Sequence, residues 1–497
     1  MSRVDSFTAQ QKDVDEALDY AVNAFTAYKN IDKDRKAAFL RAIAHEILAI
    51  GDTLIERACA ESGLPLGRIQ GERGRTVGQL NLFADLVAEG SWVEAIIDNE
   101  LPDRQPVARP DIRRMLVAMG PVVVFGASNF PLAFSVAGGD TASALASGCP
   151  VVVKAHSAHP GTSALVASAI RKAIISTGMP EGVFSMLFDS GYEVGELLVK
   201  HPKTKAVTFT GSFKGGMALT KIAAERAMPI PVFAEMGSIN PVLLLPEALK
   251  ARAEQIAEQY ASSITMGAGQ FCTNPGLLLG IDSDGLNRFK TTLADKVAEI
   301  SSATMLTPGI CKNYQTLSSG MLEEKEVALL VKSSKEVAGA TNQALATIAE
   351  VSARVFLANP KLKEEVFGPW SLLVVAEDAA ELEKVLEYVG GQLTLSVMAE
   401  AGELNQYQSL LNKAEDITGR ILLNGVPTGV EVCASMQHGG PFPASSDSRF
   451  TSVGSTAIRR FVRPLSWQNW DKKLLPSALQ DGNPQNIWRM VDNIMTK

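Results

Sequence analysis

Between Gly120 and Phe209 the chain repeats one unit, a short apolar run followed by a longer helical stretch. Val122-Val123-Val124-Phe125 ends at Gly126, small residues continue to Gly148, and Val151-Val152-Val153-Lys154 follows. The amphipathic stretch Ser163 to Thr177 stops at Gly178 with Pro180 beyond, the usual punctuation of a helix end. Val183 to Leu187, a helix through Glu193–Lys200, and Ala206 to Phe209 complete the series. Strands alternating with helices require crossover connections, so the expected fold is α/β: a parallel sheet with helices on both faces, of dinucleotide-binding kind.

The alternation resumes after residue 240. Leu277–Ile281, Ala353–Leu357, Leu372–Ala376, Leu393–Ala399 and Ile421–Asn424 read as strands of a second α/β domain. Residues 8–100 are mostly helical by period, with one helix from Ala37 to Ile50 stopped by Gly51 and another from Arg75 to Ala88. Asn99 to Arg114 is polar and proline-bearing, and strand-like Met115–Met119 follows it. At 497 residues the chain exceeds one ordinary core. We expect a cofactor-binding domain from 1–98 and 120–240, with 440–455 returning to it. A catalytic domain spans 241–439, and 99–119 and 456–497 are oligomerisation segments.

Composition narrows the function classes. Acidic residues outnumber basic ones, 54 against 47, for a net charge of −7, which gives no global attraction to nucleic acid or an anionic membrane. Met1 to Ser6 lacks the apolar core of a signal peptide, and no apolar run approaches bilayer-spanning length. Cys59, Cys149, Cys272, Cys311 and Cys433 are dispersed, without a CxxC pair or zinc-ligand spacing, so no metal is expected and a reducing, cytoplasmic setting is.

Four stretches carry chemistry. Gly126-Ala127-Ser128-Asn129-Phe130-Pro131 follows a strand directly, and the Asn129 amide is either an oxyanion donor or a turn former. Phe209-Thr210-Gly211-Ser212-Phe213-Lys214-Gly215-Gly216 runs from a strand into a glycine-rich helix start, where backbone N–H groups can meet phosphate. Glu235 ends an apolar strand before Gly237, and partial burial would raise its pKa toward that of a useful base. Cys272 lies in Gly267-Ala268-Gly269-Gln270-Phe271-Cys272-Thr273-Asn274-Pro275-Gly276, flanked for exposure in a cleft; a lone cysteine is otherwise a small buried hydrophobe.

Taken together, these stretches resemble the aldehyde dehydrogenase family over almost the whole chain. The family's glutamate motif stands as Glu235-Met236-Gly237 and its cysteine motif as Gly269-Gln270-Phe271-Cys272. Its FTGS turn is Phe209 to Ser212, its Asn-Phe-Pro is Asn129 to Pro131, and its EE[IV]FGP stretch is Glu364 to Pro369. The resemblance implies the aldehyde dehydrogenase fold, a Rossmann-like cofactor domain with an α/β catalytic domain and small oligomerisation strands. It also implies NAD(P)-dependent oxidation of an aldehyde through a Cys272 thioester. Asn129 and the Cys272 N–H would hold the oxyanion, and Glu235 would activate water. Gly211, Ser212 and Gly216 would cradle the cofactor, and Glu365 and Phe367 would hold its nicotinamide ribose and ring.

Departures from the family pattern sharpen this. NAD-using relatives commonly carry Pro-x-Glu after the lysine of the adenosine-side strand, but here the run is Lys154-Ala155-His156-Ser157. A hydroxyl in place of that acid favours NADP, with NAD also possible. Ser435-Met436-Gln437-His438-Gly439-Gly440-Pro441 resembles a branch holding 2-oxoglutarate semialdehyde (2,5-dioxopentanoate) dehydrogenases and NADP-linked fatty-aldehyde enzymes. His438 is then either a second base facing the thiol or a hydrogen-bonded spacer. A carboxylated aldehyde needs a cation: Arg75, taken to open its helix, is the first candidate and Arg449 the second, unless Arg75 merely pairs with Glu72. Rival readings are a fatty-aldehyde or succinate-semialdehyde dehydrogenase, a cysteine-dependent esterase or acyl transferase without redox, and a non-catalytic scaffold. A homodimer or homotetramer is expected from the bridging strands.

Overall fold

The computed structural model describes residues 8–497, so the reading of Met1 to Ser6 falls outside the described residues. The first half of the chain builds a five-stranded parallel sheet in the order Phe184–Leu187, Val151–Lys154, Val122–Phe125, Ala206–Thr210, Val232–Glu235. Successive side chains of a strand face opposite sides. Val122, Val124, Val151 and Val153 accordingly enter one core, while Val123, Val152 and Val207 enter another. Both faces are covered, so the central strands read as near-continuous apolar runs. The strand order reverses on either side of Val122–Phe125, which opens a crevice at the carboxyl ends of the strands.

The second sheet has seven strands, ordered Ala328–Lys332, Thr347–Ser352, Trp370–Ala376, Leu277–Ile281, Pro241–Leu244, Gln392–Met398, Thr418–Leu423. Only the Ala328–Lys332 edge runs antiparallel. Two expectations are corrected here. Ala353–Leu357 is not a strand: Ala353–Ala358 is a helix capped by Ser352, whose hydroxyl accepts the Val355 N–H at 3.4 Å, and the strand is Thr347–Ser352 just before it. A short apolar run has no period of its own, and the cap decides. Pro241–Leu244 is a fully buried central strand whose leading proline obscured it.

The helix expected from Arg75 begins at Leu66 and runs to Glu89, so Arg75 lies inside it rather than at its start. Gly67, Gly71, Gly74 and Gly78 interrupt the pattern, all on an open face where an added Cβ would meet nothing within 4 Å. A third sheet of five strands joins Ile96–Asp98 and Ile112–Ala118 to Val462–Gln468 and to the hairpin Arg489–Val491/Ile494–Thr496, whose two strands lie in the 456–497 segment without having been singled out in it. Arg113, with no exposed surface, stitches this sheet by bonding Asp111 at 3.0 Å, Asp481 at 2.8 Å and the Leu479 carbonyl at 2.6 Å. Among the described residues no helix is long and apolar enough to cross a membrane.

Candidate active site

Three segments far apart in sequence converge beside the carboxyl end of Val232–Glu235. Residues 444–446 lie along this strand: Met236 N–H donates to Ala444 O at 2.8 Å and Ala234 N–H to the Ser446 hydroxyl at 2.9 Å. Glu235, the last residue of the strand, is 4% exposed. Its Oε2 accepts the Ser452 hydroxyl at 2.5 Å, and its Oε1 lies 3.0 Å from His438 Nε2. The same Nε2 lies 3.4 Å from Cys272 Sγ. His438 is fixed through its backbone, its N–H donating to the Thr451 hydroxyl at 2.8 Å and its carbonyl accepting Ser452 N–H at 2.8 Å.

The cysteine loop is held by backbone geometry. Gly267, Ala268 and Gly269 have φ of +56°, +57° and +65°, so even an alanine is kept in the left-handed region. A Cβ on Gly269 would lie 2.2 Å from the Gly368 carbonyl oxygen, which seats the loop directly on the Glu364–Pro369 stretch. Asn240 then clamps the turn, its Nδ2 donating to the carbonyls of Cys272 at 2.9 Å and Asn274 at 2.8 Å. Its Oδ1 accepts Thr394 at 2.9 Å. Nothing in the sequence singled out Asn240, because its partners lie up to 154 positions away.

Asn129 reaches the loop from the other side, its Nδ2 donating to Gln270 O at 3.1 Å. The turn behind it is pinned by buried Glu72, whose Oε1 accepts the Leu132 and Ala133 N–H groups at 2.8 and 3.0 Å. Asn129, Glu235, Cys272, Gly211, Ser212, Glu365 and Phe367 line one cleft of about 470 Å³. The expected catalytic and nicotinamide-side residues are thus brought together. Ser212 caps the helix Phe213–Ala224 by accepting Gly215 N–H at 3.2 Å. Gly216 packs that helix on the glutamate turn, since a Cβ there would meet Met236 at 2.7 Å. A free helix N-terminus, the Lys154 ammonium at the crevice and a carboxyl at the cleft wall form a donor set that fits a dinucleotide. Lys154 Nζ donates to Asp189 O at 3.1 Å, and Ser157, three residues on, is exposed.

The charges at the cleft floor correct one expectation. Burial does push the Glu235 carboxyl up, but the His438 ring, the Ser452 hydroxyl and the Cys272 thiol outweigh it and hold the carboxyl below its ordinary range. Burial and the Glu235 charge together raise the Cys272 thiol well above its usual value, with Arg75 pulling the other way. The resting pair is therefore a thiol beside a carboxylate. Glu365 is different: burial lifts it to about 7, opposed only by the Ser238 N–H.

Arg75 faces this floor. Its guanidinium sits 5.2 Å from the Phe134 ring centroid, and Phe134 in turn is 6.3 Å from the His438 ring. Glu72 acts on it through its charge but makes no ion pair with it, being bonded to the backbone and 3.7 Å from Arg68. Arg75 Nε and Nη2 are buried without a hydrogen-bond partner among the described residues. Arg68 lies over Phe130 and Phe271 at 4.4 and 4.5 Å, and Arg420, unnoticed in the sequence, feels the Cys272 charge as well. Arg449 is not part of the floor: its side chain is 79% exposed and clamped to Asp447 at 2.6 Å, a pairing within one turn of chain.

Residues 4–440 match the sequence model of the aldehyde dehydrogenase family. Alpha-ketoglutaric semialdehyde dehydrogenase 2 of Azospirillum brasilense is 53% identical over 484 residues, covering 97% of this chain and 92% of that one. Alpha-ketoglutaric semialdehyde dehydrogenase of Acinetobacter baylyi is 48% identical over 486 residues, covering 98% and 92%. Among solved structures, betaine aldehyde dehydrogenase of Staphylococcus aureus superposes with a TM-score of 0.78 at 20% identity, covering 93% of this chain and 89% of that one. 1-Pyrroline-5-carboxylate dehydrogenase from Thermus, with bound NAD, does so with 0.76 at 20% identity, covering 93% and 86%.

Proposed function

Because this chain belongs to the aldehyde dehydrogenase family, we propose that it oxidises 2,5-dioxopentanoate to 2-oxoglutarate through a Cys272 thioester, with NADP preferred to NAD. The observation that carries the substrate is the buried, unpartnered edge of the Arg75 guanidinium, which matches the carboxylate of such a semialdehyde.

In this reading the thiol proton passes to the His438–Glu235 pair as Sγ bonds to the aldehyde carbon. The Asn129 amide leaves the Gln270 carbonyl and, with the Cys272 N–H, donates to the new oxyanion. A nicotinamide dinucleotide, when bound, supplies the hydride acceptor; Lys154, Ser212 and Glu365 would hold it, and Phe367 would flank its ring. After the pair releases that proton to solvent, Glu235, kept ionised by its neighbours, accepts a proton from the water that cleaves the thioester. Ser452 keeps its second oxygen in place. Ser157, with no charge to repel a 2′-phosphate and standing beside Lys154, supports the NADP preference. The edge strand Ile494–Thr496, with Ile494 and Met495 69% and 57% exposed, supports a homodimer or homotetramer. The five free cysteines support a cytoplasmic setting.

The test is a panel of 2,5-dioxopentanoate, succinate semialdehyde and hexanal, each with NAD and NADP, scored by kcat/KM. We expect 2,5-dioxopentanoate with NADP to lead. Hexanal in first place would replace this substrate with a fatty aldehyde, and product without reduced-nicotinamide absorbance would indicate a hydrolase.

A further inference from the structure

We propose that Cys272, His438 and Glu235 form a three-ligand site for a thiophilic divalent cation, zinc above all, which reversibly caps the nucleophile. The site does not depend on which aldehyde the enzyme takes.

The ligand atoms of the three residues lie within 4.8 Å of one another. His438 Nε2 stands 3.4 Å from Cys272 Sγ and 3.0 Å from Glu235 Oε1. Bond lengths of about 2.0–2.3 Å in a tetrahedron put neighbouring ligand atoms about 3.3–3.6 Å apart; the two spacings from His438 Nε2 lie within a few tenths of an ångström of that range, and the third pair closes from at most 4.8 Å. One thiolate, one imidazole and one carboxylate suit zinc chemically. The protein also leaves these atoms wanting partners. Glu235 and His438 are 4% and 1% exposed, yet Glu235 Oε1 and His438 Nδ1 have no hydrogen-bond partner among the described residues. The groups that meet the carboxylate, apart from Ser452, are the other two members of the cluster, the His438 ring and the Cys272 thiol. Cys272 and Glu235 both border the open cleft, which gives a cation its path and leaves water room at the fourth position.

Binding forms bonds to sulfur, nitrogen and oxygen and breaks the S–H bond, whose proton goes to solvent; no electrons are transferred. The imidazole coordinates through Nε2 and carries its own proton on Nδ1. Two features keep the site reversible rather than structural. Arg75, Arg68 and Arg420 place positive charge around the thiol, only partly offset by Glu365. His438 Nδ1 also has no outer acceptor among the described residues to orient the ring for a metal. A capped Sγ has its charge drawn into the metal bond and its approach to an aldehyde blocked, and it is shielded from oxidation. Because the ligands come from positions 235, 272 and 438, no local spacing announces them.

The experiment uses full-length, chelator-treated enzyme with zinc or cobalt(II) as the only additive. Calorimetry should give one zinc per chain, and zinc should block alkylation of Cys272 and stop turnover until a chelator restores both. Cobalt(II) should show a thiolate charge-transfer band and tetrahedral ligand-field bands. Cys272→Ser should lose the charge-transfer band, and His438→Ala should weaken zinc at least about 10-fold. His438→Gln, which preserves volume and polarity, serves should the alanine variant fail to fold. Absence of the band, or zinc held equally well by Cys272→Ser, overturns the proposal. So does loss of binding in Cys433→Ser with Cys272 intact, which assigns the metal to the wrong thiol.

Discussion

The two ends of the cleft are built on opposite principles. At the thiol end the reacting groups are anchored before any ligand arrives: Glu235 by Ser452, the cysteine loop by Asn240, the Asn129 turn by Glu72. At the end proposed for the adenosine, past the strand Val151–Lys154, Ser157 is exposed and Lys154 donates to one carbonyl. Fixed dipoles in a buried site stabilise charge without reorganising, whereas rim contacts work in water and contribute little each. Chemistry should therefore be brittle to substitution here, and cofactor choice pliable.

The sharpest way to break this contrast is at the floor. Cys272→Ala should abolish dehydrogenase and any esterase turnover. Glu235→Gln should leave a burst of reduced cofactor followed by little steady turnover, as read by stopped-flow absorbance. Full steady-state activity in Cys272→Ala would end the mechanism. Next comes Arg75→Ala, which should cost roughly 2–5 kcal/mol in kcat/KM for 2,5-dioxopentanoate while sparing hexanal. Equal losses on both substrates would make Arg75 a packing residue.

Between the two ends stands Glu365. Its carboxyl is raised by burial from 4.5 to about 7, so the folded state holds the proton more tightly than the unfolded one. Stability should accordingly fall as pH rises across that window, with the penalty complete above it. Glu365→Gln should match the parent near about pH 4 and exceed it by about 1–2 kcal/mol near pH 8 in chemical denaturation. The smallest effect belongs to the rim. Ser157→Glu should shift the NADP/NAD ratio of kcat/KM toward NAD by roughly 10-fold, about 1.4 kcal/mol, through repulsion of the 2′-phosphate. An unchanged ratio would show that Ser157 faces elsewhere.

The sequence was most legible where one local cause decides. Val122–Phe125 and residues 151–153 declare themselves because strands covered on both faces favour an unbroken apolar run. Asn129 and Glu235 were found at strand ends, and Cys272 in a glycine- and proline-flanked turn that leads into the strand Leu277–Ile281. Illegible were effects set by distant partners. The downward pull on Glu235 comes from His438 and Ser452, more than 200 positions along the chain, and local burial alone points the wrong way. Arg449 looked available until the fold placed it outward against Asp447. The Leu66–Glu89 helix lost its first turns to glycines whose open faces leave no packing signal.

The contact of Gly269 with the Gly368 carbonyl has a consequence for anyone redesigning this chain. It joins the nucleophile's loop to the segment bearing Glu365 and Phe367 through main-chain atoms alone, leaving no side chain between them to enlarge or trim. The distance between the attacking sulfur and the cofactor-side wall is thus a fixed dimension, whereas the arginine-bearing helix meets the cleft through replaceable side chains. New substrates can be sought by recutting that helix, with the reaction's spacing carried over intact.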